Sequence, residues 1–316
     1  MAAKVAVGIS GGVDSAVTAL LLRERGLDVV GVTMTLGRPT EAQTVAEARE
    51  VATRLGVRLE VADLADAWRR EVLDYVRGDY LAGRTPNPCV RCNEFVKFGL
   101  LPRWAFETLG CDLFATGHYA RTAEGRLFRA ADRRKDQSYF LYRAPRDVLA
   151  RTLFPLGELT KPQVRELGRR AGIAAAERTD SQDFCGGDVK ALVNAAPRPG
   201  AIVRASDGQV LGEHPGFWNY TVGMRKGLGL GGGGTPYYVL RLDAERNEVL
   251  VGTREESLRH DVELRDCVGE IDKSLPVKVR SAGEPRLLKD GVSGVAPGQS
   301  AVFYRGDEVV GGGIIV

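Results

Sequence analysis

Two groups of residues in this chain have the types and spacing to do chemistry. The first is Ser10-Gly-Gly-Val-Asp-Ser15, set between an apolar run (Val5, Ala6, Val7, Ile9) and a helical pattern from Ala16 to Arg25. Paired glycines let the chain turn with unhindered N–H groups, and amides at a helix N-terminus, aided by the helix dipole, favour an anion. The stretch Gly8, Ile9, Ser10, Gly11, Gly12, Val13, Asp14, Ser15 is therefore predicted to hold a polyphosphate. The second group is a set of thiols. Thr85-Pro-Asn-Pro-Cys-Val-Arg-Cys-Asn93 puts Cys89 and Cys92 three residues apart, in a loop expected just ahead of a helix that starts at Glu94. Thiolates near a helix N-terminus are the more reactive ones. Cys185, at the end of the polar segment Thr179-Asp-Ser-Gln-Asp-Phe-Cys185, is the natural third member. Cys111 and Cys267 border or occupy apolar runs and read as ordinary buried thiols. There is no second C-x-x-C and no spaced histidine pair, which leaves zinc disfavoured.

The elements that must position these groups alternate. Strand 4–9, helix 15–25, strand 28–34, helix 41–55, strand 57–62, helices 66–77 and 94–108 and strand 112–116 predict a doubly wound parallel sheet with helices on both faces. Gly26 and Gly56 stand where left-handed helix caps want glycine. Ligands of such sheets lie at the carboxyl ends of the strands, where Ser10, Met34 and Gly117 would gather. A hairpin at 119–130 and a helix at 161–171 follow. Beyond about residue 190, short apolar runs broken by Gly, Pro, Asp and Asn (Ala201–Arg204, Tyr237–Asp243, Glu248–Gly252, Pro276–Arg280, Ala301–Tyr304) predict a β-rich half. Gly227 to Gly234 reads as a flexible connection within it.

A chain of 316 residues exceeds one typical domain. Two or three are expected, divided as a catalytic domain over 1–188, a small β-rich domain over 189–252 and a β-barrel-like domain over 253–316. No apolar run reaches membrane-spanning length and the N-terminus enters a strand at once, which predicts a cytoplasmic protein. A net charge of +3 does not diagnose nucleic-acid binding, although Arg133-Arg134-Lys135 and Arg225-Lys226 are local basic clusters.

The first loop has neither the lysine of G-x-x-x-x-G-K-[ST] nor the spacing of G-x-G-x-x-G. It resembles the S-G-G-x-D-S loop of enzymes that split ATP between its α and β phosphates. Taken with Gly83-Arg-Thr-Pro-Asn-Pro-Cys-Val-Arg-Cys-Asn93, Lys97-Phe98, Ala115-Thr-Gly-His-Tyr-Ala120, Lys135-Asp-Gln-Ser-Tyr-Phe140, Tyr220 to Gly229 and Gly298-Gln-Ser-Ala-Val-Phe-Tyr304, the chain resembles the tRNA-specific 2-thiouridylase family over nearly its whole length.

That resemblance implies an adenine nucleotide α-hydrolase-like catalytic domain that binds tRNA, adenylates C2 of the wobble uridine and replaces its oxygen with sulfur. It implies that Gly8 to Ser15, Met34 and Gly117 hold ATP with Mg²⁺, and that Asn87, Pro88 and Cys89 lie against the target base. Cys92 matches the nucleophile and Cys185 the persulfide carrier. His118, Lys135, Asp136, Gln137, Arg280, Ser281 and Gln299 match tRNA-contacting positions. A cysteine desulfurase, a sulfur relay protein or free sulfide would supply the sulfur. The chain departs from the pattern where Cys89 replaces a common aspartate, where Gly-Gly-Asp follows Cys185, and where the loop after Met34 is short. Cys89, Cys92 and Cys185 together also match three ligands of a [4Fe–4S] cluster whose fourth iron would bind sulfide. Two other functions fit parts of the sequence. An ATP-pyrophosphatase ligase or amidotransferase acting on a small metabolite would explain the first loop but leave the thiols idle. A non-catalytic tRNA-binding or sulfur-carrying protein is opposed by the intact Asp14 and Ser15.

Overall fold

The computed structural model describes residues 2–178, 193, 195–230 and 236–316, so Cys185 and the later part of the glycine run at 227–234 lie outside the described residues. The chain packs as two compact units. The first comprises Met1–Val72, Cys89–Gln182 and Gly306–Val309; the second comprises Leu73–Pro88, Asp183–Arg305 and Val310–Val316.

In the first unit the elements run β1 (Lys4–Gly8), α1 (Val13–Glu24), β2 (Asp28–Thr35), α2 (Glu41–Leu55), β3 (Arg58–Asp63) and α3 (Ala65–Trp68). The second unit then takes α4 (Tyr75–Leu81), and the chain returns to the first with α5 (Pro88–Cys92). A wider helical stretch, Asn93–Leu100, leads into α6 (Leu101–Leu109), β4 (Leu113–Ala115), the hairpin β5 (Ala120–Ala123) and β6 (Arg126–Arg129), α7 (Arg146–Leu149), β7 (Thr152–Leu153) and α8 (Lys161–Arg170). The parallel sheet has the order β3-β2-β1-β4-β7.

Because strand side chains alternate, Val5, Val7 and Ile9 enter one core with α1 and α2, while Ala6 enters another with Phe98, Leu101, Ala105 and Phe114. That two-faced burial is what the near-continuous apolar run of β1 requires. Gly26 and Gly56 take the left-handed conformation just past their helices, at φ 80 and 61.

In the second unit, β8 (Gly200–Arg204), β9 (Val210–His214), β10 (Tyr238–Asp243) and β11 (Glu248–Gly252) form a sheet of order β10-β11-β8-β9 around Ile202, Phe217, Val239 and Val251. Then come β12 (Leu258–Arg259), β13 (Leu264–Gly269), β14 (Val277–Lys278), β15 (Val292–Ser293), β16 (Ser300–Arg305) and β17 (Glu308–Ile315). β17 pairs with β13 and β16, and a core of Val277, Val279, Ala301, Phe303 and Ile315 lies beneath them.

Two expectations change. The thiols do not precede a helix: it opens at Pro88, which suits a first helical position because its φ is preset and it lacks an N–H to leave unpaired. Cys89 and Cys92 thus lie inside the first turns. Cys267 is exposed, not buried: the β13–β17 pairing slips between Arg265 and Val268, and Asp266 takes φ 49, so the apolar alternation does not carry through.

Candidate active site

The loop after β1 closes on its own hydroxyls. Ser10 N–H donates to Ser15 Oγ at 3.2 Å, and Ser15 Oγ donates to Gly12 O at 2.9 Å. Gly11 has φ +83, and a Cβ there would meet Glu47 Cβ at 2.6 Å, so α2 presses against the turn. Gly12 opens α1 in extended geometry with no side-chain cap among the described residues. The first-turn amides of this 12-residue helix therefore have no serine or aspartate spent on them, the condition for binding an anion. Ile9 N–H donates to Val32 O at 2.8 Å, which ties the loop to β2, whose carboxyl end carries Met34.

Asp14, in the first turn, carries the local negative charge. Lys161 Nζ donates to its two oxygens at 2.7 and 2.8 Å, and Tyr119 Oη donates at 2.9 Å. Lys161 is put there by the start of α8: Thr160 and Gln163 form a capping box, Lys161 N–H donates to Asp132 Oδ2 at 3.1 Å, and Gly168 packs so closely on Val13 that a Cβ would lie 2.8 Å from its Cγ2.

The turn after β4 joins this loop to the thiol-bearing helix. A Cβ on Gly117 would lie 2.8 Å from Asp14 C and 2.9 Å from Ser15 N, so only glycine lets the turn touch the loop backbone. The next residue, His118, packs against Phe98 with ring centroids 5.5 Å apart and the planes tilted by 57°, and Phe98 follows Cys92 in the same helical run. Desolvation, and secondly the Lys97 charge, push the His118 imidazole down to about 3, so it is neutral at physiological pH although part of the residue reaches solvent. Its Nδ1 lies 2.9 Å from Thr116 Oγ1, and Thr116 Oγ1 lies 3.4 Å from His118 N–H.

Cys92 is 2% exposed and Cys89 is half-buried. Their helix is anchored by Arg143, whose Nε donates to Glu94 Oε2 at 2.7 Å, and by Asn93, whose Nδ2 donates to Phe140 O at 3.2 Å. Among the described residues no three His, Cys, Asp or Glu side chains gather as a metal site, and Cys185 is not among those residues.

The remaining predicted positions divide by unit. In the first, Asp136 accepts from Ala130 N–H at 3.1 Å, Ser138 N–H at 3.2 Å and Ser138 Oγ at 3.0 Å, while Gln137 Oε1 accepts from Tyr119 N–H at 2.9 Å. Both side chains shape the hairpin and the turn that holds Tyr119. Lys135, beside them, is half-buried. In the second unit, Arg280 Nη2 donates to Val222 O at 2.9 Å and Nε to Gly294 O at 3.3 Å, while Ser281 is exposed. Asn87 Nδ2 reaches Gln299 Oε1 at 3.5 Å.

Residues 3–186 match the tRNA methyl transferase HUP domain model, 190–253 the tRNA methyl transferase PRC-barrel domain model and 253–315 the aminomethyltransferase beta-barrel domain model. The tRNA-specific 2-thiouridylase MnmA of Endomicrobium trichonymphae is 40% identical, covering 99% of both chains. Its counterpart in Thermus thermophilus is 42% identical over 99% of this chain and 94% of its own. The chain belongs to the tRNA-specific 2-thiouridylase family. A solved 4-thiouridine synthetase–RNA complex with bound ATP is 17% identical with a TM-score of 0.38, covering 61% of this chain and 50% of that one.

For a member of the 2-thiouridylase family, the residues that sequence reasoning missed are Lys161 and Tyr119. The first had a signal: Thr160-Lys-Pro-Gln163 is a capping-box pattern that fixes a lysine at a helix start. The second lies within the quoted motif Ala115 to Ala120, but nothing local pairs it with Asp14, 105 residues away in the chain.

Proposed function

We propose that this chain is an ATP-dependent tRNA sulfurtransferase that converts the wobble uridine to 2-thiouridine. The observation that carries this reading is the turn Thr116-Gly117-His118, which touches the phosphate loop with one residue and the Cys92 helix with the next. Adenylation and sulfur transfer need those two groups served by one rigid element.

The uridine O2 attacks the α-phosphorus of ATP, pyrophosphate leaves, and O2 becomes a phosphate ester. The α1 amides and Lys161 stabilise the charge on the departing pyrophosphate, Lys161 moving from Asp14 to it. The terminal sulfur of a persulfide on Cys185 then attacks C2 and AMP leaves. The Cys92 thiolate attacks the cysteine sulfur of that linkage, releasing the thiocarbonyl and forming a Cys92–Cys185 disulfide, which an external thiol reduces. The base must leave the anticodon stack to be reached, which loop nucleotides do at lower cost than paired ones. Asn87, Pro88 and Cys89 contact it; His118, Lys135, Arg280, Ser281 and Gln299 face the tRNA, with Asp136 and Gln137 holding the hairpin from which Lys135 projects.

Mg²⁺ suits the hard oxygen donors here, and Asp14, one third exposed, is the carboxylate that would hold it, the metal neutralising phosphate charge. The soft thiolates of Cys89 and Cys92, on one face of α5, suit a [4Fe–4S] cluster with Cys185 as third ligand; such a cluster would supply bound sulfide. The sulfur donor is a desulfurase or a relay protein for the persulfide route, or free sulfide for the cluster route, and the setting is cytoplasmic; among the described residues no helix is long and apolar enough to cross a membrane.

Mass spectrometry of tRNA nucleosides after incubation with ATP, a sulfane-sulfur source (a cysteine desulfurase with cysteine, and a thiol reductant) and wild-type or cysteine-to-serine protein tests the reading. Loss of 2-thiouridine is expected for Cys92→Ser and Cys185→Ser. Retention in Cys89→Ser, with no iron or acid-labile sulfide in anaerobic protein, selects the persulfide route. No 2-thiouridine from the wild type refutes the assignment.

A further inference from the structure

Thr85-Pro-Asn-Pro88 has only two backbone N–H groups, because two of its four residues are proline. Such a segment cannot be zipped into a sheet, and its carbonyls need donors from elsewhere. Within the second unit those donors come from the turn before β16. Gln299 Nε2 donates to Thr85 O at 2.9 Å and lies 3.4 Å from Pro86 O, while Gln299 Oε1 accepts from Asn87 Nδ2 at 3.5 Å. Thr85 N–H donates to Pro297 O at 2.6 Å. Gly298, at φ +88, lies so close that a Cβ would stand 3.1 Å from Pro86 N and from Thr85 C and N. The turn itself is fixed to the end of β17, since Gly298 N–H donates to Ile315 O and Ile315 N–H to Gln299 O, each at 2.8 Å.

We propose that Gln299 is a positioning residue for the target-base loop, its amide holding the Thr85 and Pro86 carbonyls and the Asn87 side chain together. This deepens the thiolation reading and rests on it. A primary amide has two N–H donors and one carbonyl oxygen. Here both donor directions and the oxygen are turned to residues 85–87, so the side chain serves the loop before any tRNA atom. Thr85 is 4% exposed and its Oγ1 is buried with no partner among the described residues, a local penalty that the tie to 297–299 offsets. The last strands of the chain thereby set the geometry of the residues that meet the base.

The test compares wild type with Gln299→Ala and Gln299→Glu in steady-state thiolation of a tRNA transcript, alongside amide deuterium uptake at Thr85 and Asn87. A carboxylate keeps the size but cannot donate to two carbonyls, so both variants are expected to lower kcat at least tenfold, to leave KM for tRNA within threefold, and to speed exchange at both amides tenfold or more. Gly298→Ala, which adds nothing that reaches RNA, is expected to move the same quantities the same way. A rise in tRNA KM with kcat intact, or unchanged exchange at Thr85 and Asn87, overturns the proposal. A wild type that makes no 2-thiouridine overturns the functional reading instead, while the exchange measurement still reports on the tie.

Discussion

Replacing Lys161 by methionine separates its two jobs. Lys161 makes two short contacts to Asp14, with its side chain 10% exposed and that of Asp14 34% exposed. Removing one partner of a fully buried pair costs about 3 to 5 kcal/mol, because the other charge is stranded. Asp14 keeps the Tyr119 hydroxyl and some water, so about 2 kcal/mol is expected here, well above the roughly 0 to 1 kcal/mol of an exposed pair. Urea unfolding should report that loss as a lower midpoint at unchanged slope.

The second job shows in tRNA-dependent pyrophosphate release. A unit charge 4 Å from a phosphate contributes about 4 kcal/mol at an effective dielectric of 20 before screening, so a tenfold to hundredfold loss in kcat/KM for ATP is a conservative expectation. The double variant Asp14→Asn with Lys161→Met isolates the first job, since it removes the stranded charge and, with it, the carboxylate that would hold Mg²⁺. Stability should return to within about 1 kcal/mol of wild type, since no charge is stranded. ATP turnover should stay low in it, since both the cation and the Mg²⁺-holding carboxylate are gone, and the second job is read from Lys161→Arg, which should retain more turnover than Lys161→Met. Recovery of turnover in the double variant would mean that Lys161 only neutralises Asp14. A single variant with wild-type stability and wild-type KM for ATP would refute both parts.

Gly117→Ala forces a methyl to within 2.8 Å of the Asp14 carbonyl carbon, so ATP binding measured by calorimetry should weaken at least tenfold, with about 1 to 3 kcal/mol lost from folding; unchanged affinity would separate this turn from the nucleotide site. His118 has a folded pKa near 3, below its unfolded value of 6.5, so the unfolded chain binds the extra proton: the contribution is complete above pH 6.5 and falls by about 1.4 kcal/mol per unit as pH drops toward 3. Denaturation curves of His118→Asn should lack that slope, and equal slopes would sink the assignment. Glu94→Gln leaves the Arg143 guanidinium, 11% exposed, without its carboxylate; about 2 to 3 kcal/mol of stability should go, and thiolation should fall because the Cys92 helix loses an anchor. Desolvation opposes charge on Arg143, yet its pKa is raised because the Glu94 bond outweighs that, and wild-type unfolding behaviour in the variant would refute this account.

Much of the sheet was legible because buried strands and amphipathic helices differ in period, and Val5 to Ile9 or Glu41 to Leu55 show those periods without interruption. The start of the thiol helix was not, because Pro-Asn-Pro reads as a loop signal, and only packing shows that the second proline is the first helical residue. Cys267 misled for the opposite reason: its neighbours have the apolar character of a buried strand, but a bulge breaks the alternation on which that inference depends. At the site, local sequence named the loop and the thiols, since backbone amides and sulfur reactivity are local properties. It could not name Lys161, because the property that matters there is a distance: 147 residues separate the lysine from Asp14 along the chain, and 2.7 Å in space. The S-G-G-x-D-S loop lacks the lysine that other phosphate loops carry within their own sequence. The fold supplies a lysine from the start of α8 and pairs it with the loop's own aspartate, and that placement is what the Lys161→Met prediction tests.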